Sequence, residues 1–250
     1  MIEAETVPRE FEKVPAALSG LVSMRGVRFT WSGKNSFTIA IERFVLKKGE
    51  TLLLIGPSGS GKSTFLSLLA GIVIPEQGII EVLGTDLTRL SSAARDRFRA
   101  EHFGIIFQMF NLLPYGSVID NVVLPLSFSK TRRQRALAQG GTKAAALRLL
   151  ESLGLEKAII EKAKAASLSV GQQQRVAVAR ALIGAPELIV ADEPTSALDR
   201  GSQQAFLDLL FNDVAAAGAT LIMVSHDESL SGRFSRVARL SEVAHTSRGD

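Results

Sequence analysis

Gly56-Pro57-Ser58-Gly59-Ser60-Gly61-Lys62-Ser63-Thr64 is the stretch on which the reading of this fold turns. It follows a short apolar run, Thr51–Ile55, and opens a segment, Lys62–Ala70, whose pattern predicts a helix ended by Gly71. Glycines between a strand and a helix let successive backbone N–H groups turn inward on an anion, and the helix N-terminus adds positive potential. In that geometry Lys62 reaches the β- and γ-phosphates of a nucleotide, and the Ser63 hydroxyl is placed to ligate Mg²⁺. The whole run from Gly56 to Thr64 is therefore expected to cradle phosphate.

Working outward, further apolar, β-branched runs at Phe103–Phe107, Leu188–Ala191 and Thr220–Val224 are short and bounded by Gly, Pro or polar residues. Longer helical stretches separate them, among them Lys143–Leu153 before Gly154 and Gly171–Ile183 before Gly184. Buried, mostly parallel strands alternating with helices make the fold class α/β, a P-loop NTPase core. Val22–Phe29 and Phe37–Leu46 alternate as antiparallel strands of a flanking β subdomain, with Ser32-Gly33-Lys34-Asn35 as the turn. The stretch from about 90 to 166 reads as a helical subdomain inside a single domain spanning 21–240. Residues 1–20 and 241–250 read as a polar extension and a polar tail.

Composition narrows the function classes. With 46% hydrophobic and 22% charged residues the chain is globular, and its apolar runs fall far short of the roughly 20 residues that cross a bilayer. The first twenty residues carry Glu3, Glu5, Glu10 and Glu12, which argues against a secretory signal. There is no cysteine for disulfides or thiolate metal sites, consistent with a cytoplasmic setting. A net charge of +4 over 250 residues, without a broad basic stripe, argues against a nucleic-acid partner. The densest basic cluster, Arg132, Arg133 and Arg135, reads as the solvated face of a surface helix.

Leu188-Ile189-Val190-Ala191-Asp192-Glu193 is an apolar strand ending in two carboxylates. Beside a phosphate-binding loop, Asp192 is expected to orient the metal or its waters. Glu193 is the candidate general base for a water attacking the γ-phosphate.

With these residues in place, the chain resembles the ATP-binding-cassette ATPases over nearly its whole length. The strongest mark is Leu168-Ser169-Val170-Gly171-Gln172, similar to the family's signature sequence; Ser169 and Gln172 also form the Ser-x-x-Gln pattern of an ordinary helix capping box. Val170 stands where glycine is usual, which implies that this position needs no positive φ. By resemblance, Gln108 is a Q-loop glutamine that touches Mg²⁺ and the attacking water, Ser196-Ala197-Leu198-Asp199 is a D-loop, and His226 is a switch histidine at the γ-phosphate. Trp31, the single tryptophan, lies where such ATPases place an aromatic under adenine, a place in the strand core being the alternative.

The resemblance implies ATP and Mg²⁺ as ligands. It also implies a homodimer in which Ser169, Gly171 and Gln172 of one copy close on the nucleotide held by Lys62, Ser63, Gln108, Asp192, Glu193 and His226 of the other. Phe107-Gln108-Met109-Phe110-Asn111-Leu112-Leu113-Pro114, with Val118–Leu126 after it, narrows the likeness to ATPases of lipoprotein-releasing and macrolide-exporting systems, close to the cell-division ATPase. Met109 and Phe110 are accordingly expected on a groove for a coupling helix, with core packing as the alternative. The partners implied are integral membrane permease subunits and, where the output is export, a periplasmic adaptor, with the ATPase peripheral on the cytoplasmic face of the inner membrane. The alternative output is a mechanical signal to cell-wall hydrolases through a membrane partner.

Overall fold

The computed structural model describes residues 20–33, 36–196 and 198–249. The chain runs β1 (Val22–Trp31), β2 (Phe37–Leu46), β3 (Thr51–Ile55), α1 (Lys62–Leu69), β4 (Gln77–Val82), β5 (Thr85–Asp86) and α2 (Ser92–His102). Next come β6 (Phe103–Ile106), α3 (Val118–Val123), α4 (Lys130–Ala138), α5 (Thr142–Ser152), α6 (Lys157–Lys162) and α7 (Val170–Leu182). β7 (Leu188–Asp192), α8 (Arg200–Ala216), β8 (Thr220–Ser225), β9 (Arg236–Arg239), α9 (Leu240–Val243) and β10 (His245–Arg248) follow.

Two sheets organise these elements. One is parallel throughout, in the order β6-β7-β8-β3-β9, and the other antiparallel, in the order β10-β2-β1-β4-β5. The central parallel strands are apolar at nearly every position because both faces are covered. Leu53, Ile189, Leu221 and Met223 pack with α3, α5, α7 and α8, whereas Leu52, Leu54, Val190 and Ile222 pack with α1 and the antiparallel sheet. This period of two decides which side chain meets which layer. Phe44 of β2 meets Phe65 of α1 edge to face at 5.0 Å, joining the antiparallel sheet to the helix that begins at the P-loop. At Gly104 of β6, a Cβ would lie 2.3 Å from the Ala181 carbonyl oxygen, so only glycine lets this strand pass so close to α7.

Several expectations need correction. The segment set aside as a polar tail, 241–250, contains most of α9 and all of β10, which pairs with β2 from His245↔Ala40 to Arg248↔Phe37. Within 90–166, β6 is the strand expected at Phe103–Phe107, and α2 to α6 lie around it. Arg132 is not on a solvated face: it is 2% exposed, and its guanidinium donates to the carbonyls of Phe103, Ala181 and Ile183 at 2.9, 3.0 and 2.8 Å. Burial, and then the Arg135 charge, push its pKa down to about 10 against the pull of Glu187, which leaves it charged at neutral pH. Two of these carbonyls, Ala181 and Ile183, belong to the end of α7, where a cation is favoured by the helix dipole. Residues 1–19, and Lys34 and Asn35 of the expected turn, lie outside the described residues. Among the described residues no helix is long and apolar enough to cross a membrane.

Candidate functional site

Four parallel strands deliver the site residues at their carboxyl ends, where open α/β sheets gather ligands. β3 leads into the P-loop, β6 into Gln108, β7 into Asp192 and Glu193, and β8 into His226. The loop turns through Gly59 at φ 73° and Gly61 at φ 108°, a backbone that a β-carbon would strain. Gly61 then caps α1 without any side-chain acceptor, so the first N–H groups of the helix keep their capacity for an anion.

Lys62 is 5% exposed, and its ammonium donates to the carbonyls of Gly56 and Pro57 at 2.7 and 3.0 Å. It also sits 3.1 Å from Glu193 Oε1, while His226 Nδ1 lies 2.9 Å from Glu193 Oε2. Burial pulls the Glu193 carboxyl up, but hydrogen bonds from Lys62 and His226 outweigh it and hold the group below the usual carboxylate range. Its backbone is left-handed, at φ 43°, and its N–H donates to the Val224 carbonyl at 3.1 Å. For a side chain with a Cβ that conformation is costly, and it aims the carboxylate back toward Lys62. Asp192 behaves oppositely: burial raises its pKa, with the Ser63 hydroxyl and Lys62 opposing and Glu193 assisting.

A cavity of about 650 Å³ is lined by Trp31, Ser58, Gly59, Gly61, Lys62, Ser63, Thr64, Gln108, Asp192 and Glu193. Trp31 lies at its edge, 46% exposed, its indole N–H donating to the Thr64 hydroxyl at 3.2 Å and its ring standing edge-on to Phe29 at 4.9 Å. A neighbouring cavity of about 620 Å³ takes Gly56, Pro57, Ser60 and His226 on its wall; Gly56 and Pro57 bond to Lys62, and His226 to Glu193, both of which line the first cavity. Ser169, Gly171 and Gln172 line neither cavity. Ser169 caps α7, accepting from the Gln172 N–H at 3.3 Å, while the Gln172 side chain accepts from the Ser169 N–H at 2.9 Å. Val170 opens that helix without a positive φ.

Ser63 and Asp192 offer hard oxygen donors side by side, the chemistry that suits Mg²⁺. Among the described residues no group of three or more His, Cys, Asp or Glu could hold a metal by itself. A magnesium ion here would accordingly take its remaining ligands from phosphate and water, as such ions usually do.

One feature escaped the sequence reading. Phe37, Arg248 and Gly249 also line the larger cavity, and Arg248 donates to the Gly59 carbonyl at 2.8 Å. Phe37 becomes visible once the β1–β2 register sets it opposite Trp31, whereas nothing local marks Arg248. For Phe110, expected on a groove with core packing as the alternative, the alternative holds. It is 6% exposed and packs in the helical core, while its neighbour Met109 is 79% exposed.

Comparison with known proteins agrees with this architecture. Residues 42–196 match the family model described as ABC transporter. The chain is 44% identical over 196 residues to the uncharacterized ABC transporter ATP-binding protein YbbA of Escherichia coli K12, covering 78% of this chain and 82% of that one. It is 40% identical to the lipoprotein-releasing system ATP-binding protein LolD of Novosphingobium aromaticivorans, covering 89% and 96%. The dimeric structure of MJ0796, a bacterial ABC transporter cassette, superposes with a TM-score of 0.75 at 33% identity, covering 87% of this chain and 93% of that one. With a family model over residues 42–196 and relatives at 40 to 44% identity over most of both chains, this chain belongs to the ATP-binding proteins of the ABC transporter family.

Proposed function

We propose that this chain is the motor subunit of a transporter, binding ATP with Mg²⁺, hydrolysing it in paired copies, and driving separate membrane subunits that export or extract a substrate. The observation that carries the reading is a division of labour. Lys62, Ser63, Gln108, Asp192 and Glu193 share one cavity while Ser169, Gly171 and Gln172 stand apart from it, so a second copy must bring its own signature helix. Lys62 and the free N–H groups of α1 bind the phosphates, and Ser63, Gln108 and Asp192 hold the metal and its waters. Magnesium, when bound, supplies charge neutralisation at the phosphate oxygens.

Glu193 is the base. Its Oε2 is fixed by His226, and its Oε1 contacts Lys62. When Lys62 turns to phosphate, Oε1 is the oxygen left to take the proton of the attacking water. His226 then keeps the carboxylate oriented from the opposite side. Trp31 offers an indole face at the cavity mouth to the base. For the membrane partner we propose an apolar cavity of about 420 Å³ between Phe103, Phe107, Leu124, Pro125 and Phe128, with room for the end of a helix. In this reading the subunit sits peripherally on the cytoplasmic face of the inner membrane, with a periplasmic adaptor joining the assembly where the output is export.

Glu193→Gln tests the centre of this reading. Hydrolysis should fall about 10² to 10⁴-fold, the usual effect of losing a general base, while ATP still binds and a dimer elutes in its presence. A variant that turns over within tenfold of the parent removes Glu193 from the role.

A further inference from the structure

We infer that Arg248 is a nucleotide-binding residue that supplies a second cation to the phosphate chain from the edge of the antiparallel sheet; the inference rests on the ATP-site reading above. Its basis is a row of side chains across three strands. Trp31 of β1 pairs with Phe37 of β2, and Phe37 pairs with Arg248 of β10. Residues directly opposite one another in antiparallel strands project to the same face, so the three side chains stand side by side. They meet the P-loop in order. Trp31 touches Thr64, Phe37 lies where a Cβ on Gly61 would come within 2.6 Å of its ring, and Arg248 bonds to the carbonyl of Gly59. All three line the same cavity as Lys62 and Ser63.

The row therefore has a direction. If the indole end serves the base, the guanidinium end lies two strand spacings away, about 10 Å, at the far end of the phosphate chain. Its partner there is a neutral carbonyl, which uses one donor of the guanidinium fork. Among the described residues no carboxylate pairs with it. A planar fork with donors to spare, exposed at the wall of a phosphate-binding cavity, is suited to bidentate contact with phosphate oxygens. The ligand it selects is a nucleoside di- or triphosphate over a monophosphate.

Calorimetric titration of the parent chain, Arg248→Ala, Arg248→Gln and Arg248→Lys with ADP and with AMP tests this, emission of the single Trp31 giving a parallel readout. Arg248→Ala should weaken ADP by about tenfold or more, the scale of a hydrogen bond to a charged group, and leave AMP within about twofold. Arg248→Lys should recover part of the loss. Arg248→Gln keeps a donor for the Gly59 carbonyl but no charge, so it should bind ADP as poorly as the alanine variant. Parental ADP affinity in Arg248→Gln would make Arg248 a strand tether only and overturn the inference, as would parental affinity in Arg248→Ala or an equal loss for ADP and AMP. Should Arg248→Ala fail to fold by circular dichroism, the comparison of Gln with Lys decides alone. A parent chain that binds neither nucleotide would overturn the ATP-site reading itself, and this inference with it.

Discussion

Lys62 is contested. Two loop carbonyls and the Glu193 carboxylate hold its ammonium, so a phosphate reaching the loop competes with Glu193 for one cation. With Glu193 as the proposed base, its release would be linked to phosphate binding at a single nitrogen. A second carboxylate in the parallel sheet's surroundings has a purely structural version of the same arrangement. Glu187 is held by His102 at 3.0 Å and by Arg135 at 2.9 Å. Burial raises its carboxyl, but these partners win and keep it below the usual range. A folded pKa below the unfolded one gives stability that is present above the ordinary carboxylate value of about 4.3 and is lost as pH falls through the lower, folded value. We expect Glu187→Gln to destabilise the chain by less than about 1 kcal/mol at pH 7, since the pair is partly exposed, and the gap to the parent to close in acid. Denaturant unfolding at both pH values checks it; a gap that widens in acid refutes the assignment. From sequence, Arg135 belonged to a cluster that looked solvated. Spacing along one helix says nothing about which distant carbonyls and carboxylates that helix will be folded against, and this is why Arg132 and Arg135 were misread.

The link from β6 to α3 behaves as a small device. Phe110 and Asn111 both adopt left-handed backbone, at φ 57° and 49°, and the carbonyls of both accept from Arg180 of α7. A turn that costs conformational energy is thus held by a buried arginine on the signature helix, one residue beyond Gln108 and Met109. The twist sends adjacent side chains opposite ways, Met109 outward and Phe110 inward. Phe110→Asp should therefore destabilise by roughly 3 kcal/mol or more, the cost of an unpaired carboxylate in a core, whereas Met109→Asp should stay within about 0.5 kcal/mol. Thermal melts of the two variants decide, and similar melting temperatures would contradict the packing described. Period and propensity made the central elements legible: β3, β7 and β8 are short apolar runs, and α7 has a capping box written into Ser169 and Gln172. β10, with the sequence His-Thr-Ser-Arg, has no apolar period to read. It is a strand only because the edge of β2 is there to pair with it, which is a tertiary fact.

At the scale of the molecule, separation of the signature from the cavity makes a demand on symmetry. If two copies pair head to tail, each cavity takes Lys62 from one chain and Ser169 from the other. Lys62→Ala and Ser169→Arg should each be inactive as pure dimers. Mixed together, they should form heterodimers with one site carrying both defects and one site intact, restoring up to about a quarter of parental ATPase activity. No restoration on mixing would mean that each chain completes its own site.

The antiparallel sheet carries a further consequence, one of timing. β2 is made early, but the strand that covers its outer edge, β10, is translated roughly 200 residues later. At about 5–20 residues per second, the nascent chain spends on the order of 10–40 s with that edge open. An uncovered strand edge is a template for pairing with other chains, so this interval is when the protein is most exposed to aggregation. The same late strand delivers Arg248 beside the P-loop, so the wall of that cavity is finished only once β10 has been made. A chain stalled or clipped just before His245 would carry every motif by which its family is recognised and still present an unfinished pocket and a sticky edge.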